Sequence, residues 1–216
     1  HATPLKAERE YFLAHRIDRE TSGILVLTKT REATATLTRQ FALRTTEKRY
    51  LAITRGVPPE DFRVDEPMRR SKTSRVELKM EVAPRDAADG LHALTTYRRL
   101  EVAGAYALVE CAPKTGRQHQ IRVHLEHAGF PIVGDKLYGM TEADAYRYFE
   151  SKFLSPEATA RLLIPRHALH AAGIRFAHPV TGVPMEFESP LPRDLRAFLD
   201  RQSKLPAAEP PVTFGP

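Results

Sequence analysis

Residues 15–27 read His-Arg-Ile-Asp-Arg-Glu-Thr-Ser-Gly-Ile-Leu-Val-Leu, a charged loop that runs directly into an apolar segment. The apolar residues 24–27 predict a fully buried strand. The loop holds one carboxylate, Asp18, between Arg16 and Arg19. Opposite charges nearby favour the ionised form of a carboxylate. Asp18 is therefore predicted to serve as a nucleophile or a base, on a loop that a rigid element carries.

The remaining pattern predicts an α+β fold. The predicted helices cover residues 31–44, 117–128, two short segments within 140–164, and a last segment that Pro192 opens. The predicted strands cover residues 24–27, 48–54, 76–82, 93–100, 106–111, 168–176 and 184–188, and the strict alternation over 76–82 is the clearest strand signal. Together these elements predict a mixed, mainly antiparallel sheet with flanking helices.

Composition restricts the class of protein. The 216 residues are 42% hydrophobic, enough for a full core, and the formal net charge of +6 favours a polyanionic partner. No apolar segment has the length of a membrane span. The single cysteine, Cys111, excludes an intrachain disulfide and fits the cytoplasm, and we expect it in a buried strand. The basic segment 63–75 is either a solvated loop or an RNA contact.

Four segments in order resemble one known family. They are 15–27, Glu-Lys-Arg-Tyr-Leu-Ala at 47–52, Thr-Gly-Arg-Gln-His-Gln-Ile-Arg-Val-His at 115–124 with Gly-Asp at 134–135, and Arg-His-Ala-Leu-His-Ala at 166–171. Any one of them alone is a weak signal, but the ordered set resembles the RluA-type pseudouridine synthases, which isomerise uridine in RNA. The resemblance implies the pseudouridine synthase fold, a mixed sheet with a central cleft in which RNA lies.

The resemblance also assigns catalytic roles. It implies that Asp18 is the essential aspartate, that Tyr50 stacks on the flipped base and takes part in transfer of the C5 proton, and that Arg122 pairs with the aspartate. Each residue has a structural alternative. Asp18 caps a turn or pairs with Arg16, Tyr50 is an ordinary core aromatic, and Arg122 pairs with Glu126 one turn later.

RNA contacts are expected from a second set of residues in the same motifs. They are Arg16, Arg19, Thr21, Lys48, Arg117, His119 and Gln120. On the predicted helix 117–128, one stripe of polar residues, Arg117, Gln120, His124 and His127, faces either phosphates or water.

No cofactor is expected, because the isomerisation exchanges one bond to C1′ for another without redox change. The histidines invite a metal interpretation, with His124 and His127 one turn apart and His119 near them. No metal site is predicted, since neither a cysteine pair nor a carboxylate triad accompanies them. His167 and His170 are expected along a strand edge.

The sequence thus predicts an RNA pseudouridine synthase that acts on ribosomal or transfer RNA. The alternatives are a non-catalytic RNA-binding module on the same scaffold and a metal-dependent hydrolase. We expect one catalytic domain over 1–202 that lacks an upstream portion, with a helical insertion at 140–164 and a disordered tail at 203–216. The partner is expected to be RNA and not a membrane, and the protein is expected to be a cytoplasmic monomer.

Overall fold

The computed structural model describes residues 10–205, so most of the predicted disordered tail at 203–216 lies outside the described part of the chain. The strands are β1 Phe12–Leu13, β2 Ser22–Gly23, β3 Leu27–Thr28, β4 Glu47–Arg55, β5 Asp61–Asp65, β6 Met68–Arg70, β7 Met80–Val82, β8 Leu94–Ala103, β9 Tyr106–Pro113, β10 Leu169–Ala177 and β11 Pro184–Glu188. The helices are α1 Arg31–Ala42, α2 Gln120–His127, α3 Glu142–Ser151, α4 Pro156–Leu162 and α5 Arg193–Gln202. The α+β class is confirmed.

One seven-stranded sheet organises the described residues. Its order is β11-β10-β4-β9-β8-β5, all antiparallel, and β2 adds a short parallel pairing to β10. The central strand β4 is buried from Leu51 to Thr54, with Leu51, Ala52 and Ile53 in the main core cluster. Helices α2 and α5 pack on the same cluster through Leu125 and Phe198. The sheet centre is therefore closely packed. Tyr50 lies on β4 immediately before the buried residues of that strand.

Local sequence signals explain the helix starts. The side chains of Thr30, Thr141 and Ser155 each accept a hydrogen bond from the backbone N–H three residues later, at the first turns of α1, α3 and α4. Pro156 occupies the first turn of α4, where its missing N–H costs nothing. The two short helices predicted within 140–164 are confirmed, as is the helix that Pro192 opens.

The predicted buried strand at residues 24–27 is wrong. Of these residues only Leu27 lies in a strand, which pairs with β1, while the N–H of Ile24 donates to the carbonyl of Ala171 just after the short parallel pairing of β2 with β10. Leu25 and Leu27 are 41% and 42% exposed, whereas Ile24 and Val26 pack on the cluster around Leu37. Only one face of this apolar segment is therefore buried. The sequence does not show the alternation in burial, because the buried and the exposed positions both carry aliphatic residues.

The predicted strand at 76–82 is also shortened, and only Met80–Val82 pairs, with β6. The alternating residues before it form a turn, in which the backbone N–H of Lys79 donates to the carbonyl of Val76 at 2.9 Å. Segment 63–75 is not one loop either, because it includes the end of β5 and all of β6. Propensity alone does not show where a strand has no partner to pair with.

Candidate active site

A cleft of about 260 Å³ lies beside the sheet centre. It is lined by the loop before β2, by the start of β4, by residues 113–119 that lead into α2, by the first turn of α2 and by Leu169 of β10. Asp18, Tyr50 and Arg122 all line it, so three segments far apart in sequence meet there. Most of the lining side chains are polar or charged, and a concave site with converging polar groups is the usual form of a binding site.

A chain of ion pairs sets the position of Asp18. Its carboxylate accepts a hydrogen bond from Nη1 of Arg122 at 3.0 Å, and the other side of that guanidinium binds Asp135 at 2.6 Å and 2.9 Å. Asp135 is 1% exposed and also accepts the backbone N–H groups of Leu137 and Tyr138. Arg122 is thus held from behind by one carboxylate and presents its remaining donor to the other.

Asp135 and Arg122 stabilise each other's charged forms. Burial alone would raise the pKa of Asp135, but the adjacent Arg122 outweighs it and holds that pKa well below its usual range. Burial likewise opposes the charge of Arg122, yet Asp135 and Asp18 raise its pKa. The cation beside Asp18 is therefore Arg122, whereas the sequence suggested Arg16 and Arg19; within residues 10–205 neither pairs with Asp18.

Tyr50 lies on β4, between Cys111 of β9 and Ala171 of β10. Its ring packs on the main core cluster, and it also lines the cleft beside Asp18. Burial, and secondarily the charge of Asp18, raises the pKa of Tyr50 to about 12. The hydroxyl therefore keeps its proton near neutral pH.

The residues predicted to contact RNA divide into two groups. Arg16, Lys48, Arg117 and His119 line the cleft, together with Thr21 and Gln120, while Arg19 is exposed outside that lining. Lys48 donates to the carbonyl of Thr115 at 3.3 Å, and burial with the charge of Arg44 lowers its pKa.

Thr21 and Gln120 direct their polar atoms into the protein. The hydroxyl of Thr21 is hydrogen-bonded to His167 at 2.8 Å. The Gln120 amide bonds the hydroxyls of Thr115 and Thr95 at 2.6 Å and 3.0 Å and the carbonyl of Leu94 at 3.0 Å, and its oxygen also accepts the N–H of Arg117. Gln120 therefore fixes the loop before α2, and the geometry does not support a direct RNA contact for it.

The predicted polar stripe on α2 is wrong. The helix begins at Gln120, three residues later than expected, and Gln120 and His124 are buried. His167 and His170 are buried too, and not on an open edge, since they bond the hydroxyls of Thr21 and Ser22. Cys111 lies buried in β9 as expected. Among the described residues no group of three or more metal-ligating side chains converges.

His124 offers a test of the buried histidines. It is fully buried between the Thr95 hydroxyl and the carbonyl of Glu66, and burial lowers its pKa to about 4. The folded state then binds fewer protons than the unfolded state between about pH 6.5 and 4, so stability falls as pH falls through that window. We expect His124→Gln to reduce the slope of unfolding free energy against pH by up to one proton, about 1.4 kcal/mol per pH unit. Denaturant titrations at several pH values measure this slope.

His178 supplies the control, because its side chain is on the half-buried 177–180 turn and bonds only local backbone N–H groups. His178→Gln is measured in parallel as the same substitution away from the core. Equal slopes for wild type and His124→Gln would contradict the assignment of a neutral buried ring.

Three residues of the site did not emerge as candidates from sequence. Asp135 was part of a matched segment but received no role, and Tyr138 follows it in the same turn. The Tyr138 ring lies 4.9 Å from the Arg122 guanidinium. His15 opens the first motif, accepts the N–H of Val26 and stacks on Phe41 at 4.8 Å. The sequence signal for Asp135 was its place in a matched segment, together with the need of the matched Arg122 for a carboxylate partner if that arginine is buried.

The Asp18 carboxylate, held by the buried Arg122, and the Tyr50 ring thus line one cleft beside the centre of a mixed sheet. The RNA pseudouridylate synthase family profile matches residues 2–127. The chain belongs to the RNA pseudouridylate synthase family, and its RluA-type membership and fold are confirmed.

Individual relatives agree. Ribosomal large subunit pseudouridine synthase D of Nitrosomonas europaea is 38% identical over 95% of this chain and 55% of its own length. An uncharacterized RNA pseudouridine synthase of Chloroflexus aurantiacus is 40% identical over 87% of this chain and 52% of its own length. The solved structure of human RNA pseudouridylate synthase domain containing 4 superposes with a TM-score of 0.70 at 28% identity, covering 90% of this chain and 76% of that one. The chain spans about half the length of the curated relatives it matches.

Proposed function

We propose that this protein is an RNA pseudouridine synthase. The reaction breaks the bond between uracil N1 and ribose C1′, turns the base and joins C5 to C1′. The observation that carries the proposal is the Asp18 carboxylate, held by buried Arg122 at 3.0 Å in the cleft that Tyr50 also lines. Family membership supports it.

The proposed substrate is RNA of the large ribosomal subunit, because several relatives of this chain are named for that subunit. A uridine stacked in a helix keeps its glycosidic bond out of reach of a carboxylate in a cleft. The target nucleotide is therefore extruded into the cleft, where Tyr50 offers an aromatic face and Leu169 an apolar one. Transfer RNA is the alternative substrate.

Three residues perform the chemistry in this proposal. Asp18 acts at the ribose, either on C1′ or on the C2′ proton, and the hydrogen bond from Arg122 keeps it oriented. Tyr50 stacks on the uracil and passes on the C5 proton after the new bond forms. With its pKa raised to about 12, Tyr50 enters this step as a neutral hydroxyl.

The direct test is tritium release from RNA that carries [5-³H]uridine, because C5 loses its hydrogen only when the new C5–C1′ bond forms. Large-subunit ribosomal RNA, transfer RNA and an unrelated RNA are compared as substrates, and the modified position is then mapped chemically. RNA binding without tritium release would favour the non-catalytic RNA-binding module.

Replacing Tyr50 by phenylalanine should separate stacking from proton transfer. The ring and its packing on the core remain, so we expect RNA affinity within a few-fold of wild type and tritium release at least about 10²-fold slower. Binding titrations and tritium release on the same RNA measure the two effects. Normal tritium release by Tyr50→Phe would leave stacking as the residue's only role.

Phosphate contacts should come from the cleft cations and not from the paired part of the basic segment. Arg69 pairs with Glu81 and Asp89, and Lys72 pairs with Asp89, so both are already neutralised. Arg16 and Arg117 line the cleft and form no ion pair within residues 10–205. We expect Arg16→Ala/Arg117→Ala to flatten the slope of log K against log salt by about 1.4, at roughly 0.7 per contact with single-stranded RNA.

The matched control is Arg69→Ala/Lys72→Ala, which removes the same number of charges and should leave that slope unchanged. Salt titrations of RNA binding compare the three proteins. A larger effect for the control pair would move the RNA path to the 63–75 segment.

We further propose that residues 10–202 act as one catalytic domain, with α3 and α4 as a helical insertion. Ala145 of α3 packs with Val123 of α2 in one apolar cluster, which supports a single unit. Among the described residues no helix is long and apolar enough to cross a bilayer. A cytoplasmic monomer is the proposed state, and light scattering with chromatography tests it.

A further inference from the structure

A buried hydroxyl connects the β6–β7 ribbon to the cleft. The phenol oxygen of Tyr138 accepts the backbone N–H of Met80 at 2.9 Å and lies 2.9 Å from Nδ1 of His119. Tyr138 is only 2% exposed. Its hydroxyl proton has no acceptor other than His119 among the described residues.

This arrangement decides which ring nitrogen of His119 carries the proton. If Nδ1 were protonated, it would donate to the phenol oxygen, and the buried hydroxyl proton would be left without a partner, which is unfavourable. With Nδ1 as acceptor, the hydroxyl is satisfied on both sides. The ring then holds its single proton on Nε2.

The ring is also neutral. Burial, with a further contribution from the charge of Arg122, lowers the pKa of His119 to about 4. One proton therefore remains on the imidazole at neutral pH, and the hydrogen bond from Tyr138 fixes its place.

The backbone places this ring in the cleft. His119 precedes α2 in the left-handed conformation, with φ 56° and ψ 15°, and it lines the cleft with Asp18 and Tyr50. Its Nε2 has no hydrogen-bond partner among residues 10–205, whereas its Nδ1 does. A strained conformation of a non-glycine residue at a cleft wall is typical of a functional position.

We propose that His119, held in the Nε2–H tautomer by Tyr138, donates a hydrogen bond to a carbonyl oxygen of uracil as the base separates from C1′. Cleavage of that bond leaves negative charge on the uracil ring, which its carbonyl oxygens share. A fixed neutral donor stabilises such charge without reorganising. His119 is thus a further catalytic residue and Tyr138 its positioning residue, and this role rests on the proposed function.

The tautomer is tested without any activity measurement. Nitrogen NMR of ¹⁵N-histidine protein distinguishes Nδ1–H from Nε2–H rings. We expect a single Nε2–H signal for His119 in the wild type and a mixture of tautomers in Tyr138→Phe. Tyr146→Phe, at a half-buried position of α3 where Arg75 covers the ring, is the matched control and should resemble the wild type. An Nδ1–H ring in the wild type would overturn the proposal.

The donor role is tested by two substitutions at His119. The amide nitrogen of glutamine reaches the place of Nε2, whereas asparagine reaches only that of Nδ1 while tolerating the left-handed backbone. We expect His119→Asn to lower kcat by about 10²-fold with KM little changed, and His119→Gln to retain kcat within about tenfold. Melting temperatures and RNA affinity confirm that both variants fold and bind.

The outcomes separate the two proposals. A wild-type chain that binds RNA but releases no tritium overturns the proposed function and the donor role with it, whatever the tautomer. An active wild type in which Asn and Gln lose kcat equally, or in which only KM changes, overturns the donor role alone.

Discussion

Asp18→Asn is expected to abolish pseudouridine formation, with a loss of roughly 10⁴-fold or more, the size seen when a group acting at the reacting atoms loses its charge. The substitution is nearly isosteric. The amide oxygen can still accept the hydrogen bond that Arg122 donates at 3.0 Å, so the local packing survives. What disappears is the charged oxygen that the proposed mechanism needs at the ribose. Tritium release under single-turnover conditions measures the loss.

The same experiment requires evidence that only chemistry has changed. RNA affinity and the free energy of unfolding of Asp18→Asn should remain close to wild type. The exposed Asp61, paired with Arg98, supplies the same substitution at a position away from the cleft, and Asp61→Asn should be fully active. Measurable turnover by an Asp18→Asn preparation shown to be free of wild-type protein would remove Asp18 from the mechanism.

Asp135→Asn should cause the largest loss of stability, about 3 kcal/mol. Every acceptor of this carboxylate is used: one oxygen binds Nε of Arg122, and the other binds Nη2 and two backbone N–H groups. An asparagine must turn its NH₂ group toward donors on one side or the other. The buried guanidinium of Arg122 also loses its principal counter-charge. Asp18 still compensates in part, so the expected loss of stability is at the lower end of the range for breaking a buried ion pair.

Denaturant unfolding of Asp135→Asn and wild type measures this difference. Asp61→Asn again provides the comparison, since its exposed pair with Arg98 should contribute no more than about 1 kcal/mol. We also expect Asp135→Asn to lose activity, because Arg122 would no longer be held toward Asp18. A stability within 1 kcal/mol of wild type would show that the buried pair is not what fixes Arg122.

The elements with local signals were predictable from sequence. Helix caps depend only on residues adjacent in sequence, so they can be predicted without knowledge of the fold. The examples are the caps at Thr30, Thr141 and Ser155 and the proline at 156. The hairpin of β8 and β9 around Gly104 is another such case, since that residue has a positive φ of 60° at the turn.

The failures came from information that is not local. Residues 76–79 alternate like a strand but pair with no strand of the described part of the chain, and of residues 24–27 only Leu27 lies in a strand. In the site, Asp18 and Arg122 are brought together as the resemblance implied, but the sequence suggested Arg16 and Arg19 as its cations. Burial of Gln120 and His124 could not be read from a helical stripe, because a polar residue satisfied by partners across the fold looks the same in sequence as one facing water.

The parallel pairing of β2 with β10 has a consequence for when the site can exist. Ser22 and Gly23 lie beside His170 and Ala171, and the hydroxyl of Thr21 bonds His167, 146 residues later. Synthesis proceeds from the amino end, so the loop that carries Asp18 is made before β10 and stays without its support until β10 has left the ribosome. Contacts this distant in the chain close slowly, since the intervening loop must first lose its entropy. Asp18 therefore reaches its place only after β10, which is made much later in the chain, has joined the sheet.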